Sequence, residues 1–190
     1  MFLSGLVFPI PERTVPMSVR ANANWIGLLA IVSAVAVRAA EIKAESVIRA
    51  TSGSFVSGKI FLTDNDGTGL RVKGEIRGLA PGMHGFHVHE YGDCTDTAAA
   101  SAGGHFNPGN TAHGDPMAVN HHAGDLGNIQ ADTAGVARID RVFPGLSLRG
   151  ENSVAGRSFV VHAKDDDLKS QPAGNSGNRI GCGVIGLSKP

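Results

Sequence analysis

The sequence predicts an all-β domain, with seven or eight short strands in an antiparallel sandwich or barrel. Three observations point that way. Several segments alternate apolar and polar residues with the period of two that a strand imposes. Turn signals separate these segments, and no stretch carries a convincing helical period. The composition agrees: 26 Gly and 9 Pro among 190 residues, with only 18% charged, suit short strands joined by turns better than long amphipathic helices.

The strands follow in order. Residues 46–50 (SVIRA) and 58–63 (GKIFLT) read as the first two. The cluster Asp64-Asn65-Asp66-Gly67 is a turn signal leading into residues 70–76 (LRVKGEI), whose apolar residues fall at every second position. Residues 78–82 (GLAPG) connect to a strand containing GFHVHE. Residues 92–123 are polar, rich in Gly, His and Pro, and without period. A loop of that length inside a domain is unusual unless it is functional or clamped by a metal or a disulfide. Strand-like sequence returns at 126–131 and 136–142, separated by Asp132-Thr133-Ala134-Gly135, and again at 158–162 (SFVVH). A second irregular loop, 163–178, precedes the closing segment 180–187 (IGCGVIGL), and there are no obvious internal repeats.

The first forty residues stand apart. Residues 25–37 (WIGLLAIVSAVAV) form an apolar run preceded by Arg20 and followed by small residues, the plan of a signal peptide cleaved near 36–40. The run is short for a bilayer span, and an N-terminal membrane anchor is the competing reading. Met17 is a candidate true start, because residues 1–16 lie outside the usual leader plan. The expected organisation is a leader over 1–40 and one folded domain over 41–190, exported to a periplasm or an extracellular space. Charge over the whole chain is balanced, 17 basic against 17 acidic. Without the leader 14 basic and 16 acidic residues remain, so no global basic field invites nucleic acid or an anionic membrane. The two cysteines, Cys94 and Cys182, favour a disulfide in an exported protein, with two free buried thiols as the alternative. Neither has the nearby Cys partner of a zinc ribbon or a redox pair.

The chemistry is concentrated in histidine. His87 and His89 stand one residue apart, so on a strand both rings point the same way with room for a metal between them. Three further histidines and a carboxylate, His105, His113, His122 and Asp125, lie in or beside the long loop, and His162 ends another strand. Three nitrogens and one carboxylate oxygen match closed tetrahedral zinc. His87, His89 and His162 with one further imidazole form a nitrogen-rich set suited to copper(II). Seven candidates for eight coordination positions require a shared ligand. Taken singly, each of these histidines is more simply a solvated or hydrogen-bonded side chain. Their joint spacing makes the metal reading the stronger one. His84 falls on the other strand face and reads as a buried structural hydrogen-bonder. His121 competes with its neighbour His122, although the H-x-x-D spacing selects His122.

The segments GFHVHEYGDC, SAGGHFNP, HHAGDLGN, VVHAKDDDL and NRIGCGVIG resemble the signature segments of the copper,zinc superoxide dismutases, in the same order and spacing. The similarity covers roughly residues 45–187. It implies an eight-stranded antiparallel Greek-key barrel or sandwich with two long functional loops, and disproportionation of superoxide to oxygen and hydrogen peroxide. It implies copper held by His87, His89, His105 and His162, zinc held by His105, His113, His122 and Asp125, and His105 bridging the two as an imidazolate. Arg179 matches the substrate-guiding arginine, Asp166 the carboxylate linking a copper and a zinc ligand, and Cys94 with Cys182 the disulfide of the family. Arg179 is otherwise an ordinary surface charge, and Asp165 to Asp167 a solvated acidic turn.

Two features depart from the animal cytosolic members. The 163–178 loop is shorter and lacks their glutamate pair followed by Lys-Thr, which leaves Lys164 and Lys169 both open as partners of Arg179. Cys94, five residues after His89, looks more like the bacterial arrangement. Tyr91, Gly156 and Leu187 align with positions that pack the dimer in eukaryotic-type members, so a homodimer is expected, as is a copper donor protein. No stable membrane association is expected after the leader is removed. Two readings compete with catalysis: a related domain that binds or delivers copper without turnover, and a structural zinc domain.

Overall fold

The computed structural model describes residues 41–51, 53–64 and 68–189. The leader expected over 1–40, and the centre of the turn at Asn65, Asp66 and Gly67, lie outside them. Eight strands make up the domain: β1 (Ile42–Ala50), β2 (Ser57–Asp64), β3 (Leu70–Arg77), β4 (Gly82–His89), β5 (Asp125–Ala131), β6 (Val136–Phe143), β7 (Ser158–His162) and β8 (Arg179–Leu187). All pairings between them are antiparallel, and the order β1-β2-β3-β6-β5-β4-β7-β8 closes into a barrel through β8 and β1. The chain crosses the barrel twice, from β3 to β4 and from β6 to β7, which produces the Greek-key order. Among the described residues no helix is long and apolar enough to cross a membrane.

The strand readings are borne out, with two differences. β1 begins at Ile42, four residues before the predicted start, because its early residues pair along β2 although only Ala44 among them is buried inward. The long loop also contains one 3-10 turn, Ala100–Ala102.

β2 and β3 alternate buried and exposed positions, the pattern of strands with one wet face. β4 from His84 onward and all of β7 are buried on both faces. Inward, Phe86 and Val88 of β4 meet Phe159 and Val161 of β7 in the core, and the Phe86 and Phe159 rings stack at 4.9 Å. Outward, His87 and His89 of β4 and Ser158, Val160 and His162 of β7 are covered by the two long loops. Val160 packs with Ala99, Ala102 and the cysteines, and Ser158 donates its hydroxyl to the Tyr91 carbonyl at 2.7 Å.

The loop between β4 and β5 is tied down at both ends. Phe106 N donates to the Val88 carbonyl at 2.9 Å and Gly124 N to the Phe106 carbonyl at 2.8 Å. A Cβ at Gly124 would lie 2.2 Å from the Val88 oxygen, so only glycine permits this approach. Cys94 and Cys182 form a disulfide with Cα atoms 5.8 Å apart, fastening the same loop to β8. Closing a loop of 88 residues stabilises the fold by ~4–5 kcal/mol in the chain-entropy model.

Candidate metal centre

Two irregularities in the ladders aim the strand-borne groups. The β4–β5 register shifts between Gly85 and His87, which brings His87 opposite Asp125. The β7–β8 register shifts between Val161 and His162, which brings His162 opposite Arg179. Such bulges redirect side chains beside functional sites. The loop then returns along β4, so that His105 forms a bridge with His89.

The result is two adjoining groups of four donors. Ligand atoms of His87, His89, His105 and His162 lie within 4.8 Å of one another, and so do those of His105, His113, His122 and Asp125. His105 belongs to both. Every one of these side chains is buried.

In the first group each ring has one nitrogen engaged and one without a protein partner. His87 Nε2 meets Asp166 Oδ2 at 2.8 Å, His89 Nδ1 meets the Gly103 carbonyl at 3.0 Å, His162 Nδ1 meets the Gly177 carbonyl at 3.3 Å, and His105 Nδ1 meets Asp125 Oδ1 at 2.7 Å. The remaining atoms, His87 Nδ1, His89 Nε2, His105 Nε2 and His162 Nε2, are buried without a hydrogen bond. Buried polar atoms almost always find partners, so four that converge form a donor set that could hold a cation. An all-imidazole set suits copper(II). Burial holds His87 and His89 well below the usual imidazole range, helped by the neighbouring rings, and pushes His162 down to about 4. These rings therefore stay neutral and keep their lone pairs.

The second group is organised by one carboxylate. Asp125 Oδ1 lies 2.7 Å from His105 Nδ1, 2.9 Å from His113 Nδ1 and 3.2 Å from His122 Nδ1. Its other oxygen accepts from His122 N at 2.8 Å and Gly114 N at 3.0 Å. Burial opposes the charge on Asp125, but hydrogen bonds from His105 and Gly114 outweigh it and hold the carboxyl well below its ordinary range. Burial likewise opposes protonation of His113, yet Asp125 and Asp166 raise it, whereas burial prevails at His122 and lowers it. Three nitrogens and one anionic oxygen form a zinc-type donor set.

Asp166 bridges the groups, with Oδ2 on His87 Nε2 at 2.8 Å and Oδ1 on His113 Nε2 at 3.0 Å. Arg179 is half-buried, donating from Nη1 to the Ala99 carbonyl at 2.6 Å and from Nη2 to the Gly103 carbonyl at 2.7 Å. Its charge is felt at His89 and His162, where it disfavours protonation after burial and the neighbouring rings. His162 lines a cleft of about 300 Å³ with Gln171, Asn175, Ser176 and Gly177.

The comparisons with known proteins agree with this geometry. The family described as copper/zinc superoxide dismutase matches residues 56–185. This chain belongs to that family. It is similar to the extracellular superoxide dismutase [Cu-Zn] of Brugia pahangi, 46% identical over 153 residues that cover 75% of each chain. It is 45% identical over 152 residues to superoxide dismutase [Cu-Zn] of Onchocerca volvulus, covering 75% of this chain and 96% of that one. Among solved structures, the clock protein EA4 superposes with a TM-score of 0.70 at 41% identity, covering 77% of this chain and 94% of that one.

Several expectations can be placed within this superoxide dismutase fold. His84 is buried and sits outside both groups, with Nδ1 2.8 Å from the His162 carbonyl and Nε2 2.9 Å from that of Ala80. His122 faces Asp125, whereas His121 turns away and contacts the His122 carbonyl through Nδ1 at 2.6 Å. Asp165 is exposed, and Asp166 between it and Asp167 is buried. Lys164 and Lys169 are both exposed, and the Lys164 stem runs close to Gly177 at the cleft.

Sequence reasoning missed two amides. Asn128 on β5 accepts from Asp166 N at 2.7 Å and donates to the Asp166 carbonyl at 2.9 Å. Gln171 makes the same paired contact with the backbone of His113. Asn128 follows Asp125 by three residues in a segment already singled out, the one signal that pointed to it. Nothing local distinguishes Gln171.

Proposed function

We propose that this chain disproportionates superoxide, converting two superoxide ions and two protons to oxygen and hydrogen peroxide. The observation that carries the reading is His105, whose Nε2 faces the all-imidazole group while its Nδ1 faces Asp125. A ring so placed suits an imidazolate shared between two unlike cations. Copper belongs with His87, His89, His105 and His162, and zinc with His105, His113, His122 and Asp125. When bound, copper supplies one-electron redox chemistry and zinc supplies fixed positive charge that favours deprotonation of the shared ring.

The protein side of the reaction follows from the other contacts. Asp166 engages the far nitrogens of His87 and His113, fixing which nitrogen of each faces inward. The Gly103 and Gly177 carbonyls do the same for His89 and His162. Nε2 of His105 is the place where a proton is taken up and passed to the departing peroxide. Arg179, pinned by two carbonyls, orients a cation towards the anionic substrate, and Lys164 at the rim of the cleft is the lysine we assign to assist it.

The disulfide supports an exported protein, and a leader over 1–40 ahead of a domain over 41–190 completes that reading. An extracellular destination fits the similarity to the extracellular enzyme of Brugia pahangi. A homodimer is supported by Val47, Val184 and Leu187, exposed apolar residues beside one cleft on β1 and β8, with Tyr91 exposed nearby. A copper donor protein would serve the buried imidazole set.

The test is to load the purified chain with both metals and combine metal analysis with stopped-flow superoxide decay. The expected outcome is one copper and one zinc per chain with rapid turnover. Copper without turnover would replace this reading with a copper-delivery domain, and zinc alone with a structural one.

A further inference from the structure

His113 lies in the irregular stretch between β4 and β5, where its backbone N–H and C=O have no strand beside them. Gln171, on the other long loop, supplies both partners. Its Oε1 accepts from His113 N at 2.9 Å, and its Nε2 donates to the His113 carbonyl at 2.9 Å. A carboxamide carries the donor and the acceptor of a peptide group, so one side chain reproduces the pair of bonds that a neighbouring strand would make.

Gln171 rests on a braced segment. Asp167 Oδ1 accepts from Lys169 N at 3.1 Å and Ser170 N at 2.8 Å, and Gly174 N donates to the Ser170 carbonyl at 2.7 Å. Gly174 has φ +65°, and a Cβ there would lie 1.8 Å from Asp166 Oδ1 and 2.8 Å from His113 Nε2. The two loops therefore meet without a spare atom between them. His113 is held at its ring by Asp125 and Asp166 and at its backbone by Gln171. Gln171 also lines the cleft that opens on His162.

We infer that Gln171 is a positioning residue for the zinc ligand His113, fixing the backbone so that Nδ1 stays aimed at the position shared with His105, His122 and Asp125. The inference rests on the zinc assignment above. Residues that orient a metal ligand from behind typically change metal affinity about 10- to 100-fold when replaced. The Gln171 side chain is exposed, so replacing it removes hydrogen bonds without opening the core.

Two variants of the full, disulfide-bonded chain test it. Gln171→Met keeps the length and loses both bonds to His113 together with the one that Nε2 donates to the Lys169 carbonyl; Gln171→Glu keeps the acceptor but sets a carboxylate oxygen against the His113 and Lys169 carbonyls. Zinc affinity is read by chelator competition, copper affinity in parallel, and thermal melting on the metal-free chain. The expected result is zinc binding weakened roughly 10-fold or more in both variants, with little change in copper affinity or metal-free melting. Zinc binding equal to wild type in both variants overturns the role of Gln171 alone, as does a zinc loss matched by an equal loss of metal-free stability. A wild-type chain that takes up no zinc overturns the metal reading beneath it.

Discussion

The two sides of the barrel use the same alternation to opposite ends. On β2 and β3 every second residue faces water, and the outward positions carry Lys59, Arg71, Lys73 and Arg77 in exposed ion pairs with Glu45, Asp140 and Glu75. On β4 and β7 the outward positions carry His87, His89 and His162, and two long loops bury them. Both sides are antiparallel ladders; what differs is the cover and the two register shifts on the covered side. Charges in water contribute little and tolerate change, whereas neutral rings removed from water with nitrogens unpaired form a site that a cation completes.

Replacing the residue shared by both donor groups should break this contrast most severely. His105→Ala removes a ligand from each, and superoxide turnover should fall by more than the roughly 100-fold typical of losing a residue that only orients a ligand. Metal analysis should show zinc reduced along with copper. Retention of both metals with full turnover would show that the ring is not shared.

Arg179→Ala sharpens the comparison at the rim of the buried side. Its guanidinium is held by the Ala99 and Gly103 carbonyls, and its loss should slow turnover about tenfold and flatten the dependence on ionic strength, with metal content intact. Stopped-flow rates across a salt series decide the matter. An unaltered salt slope would remove the guiding role.

The smallest effect belongs to the wet side. The hydrogen bond from Arg71, assisted by Lys73, holds Asp140 down at about 2. A folded value below the unfolded one gives stability that is present above the unfolded value and lost as pH falls through the folded one. Asp140→Asn should therefore lower the melting temperature slightly near neutral pH, and the gap from wild type should close as pH drops from ~4 to ~2. A gap that stays constant with pH would mean that the ion pairs contribute through packing instead.

The contrast also explains what the sequence made legible. The strands on the wet side announce themselves, as in LRVKGEI, because water enforces alternation. The clustered donors were legible because His in pairs and at fixed spacings has few other uses. The redirected registers at Gly85/His87 and Val161/His162 were not, since a bulge depends on the partner strand. Asn128 and Gln171 escaped for a related reason: their partners are backbone groups 38 and 58 residues away, and any residue type offers those. The first half of β1 was hidden because Ala44 is its one fully buried apolar residue before Ser46, with Ile42 only partly covered.

The seam between β1 and β8 joins the first strand of the chain to the last. Until β8 has been synthesised, β1 and β7 each present a row of bare peptide groups, the kind of border along which chains add to one another. Once it docks, the barrel is closed at this seam. A chain truncated just before Arg179 would lose its last strand and would also expose two adhesive margins at once, making self-association its first symptom.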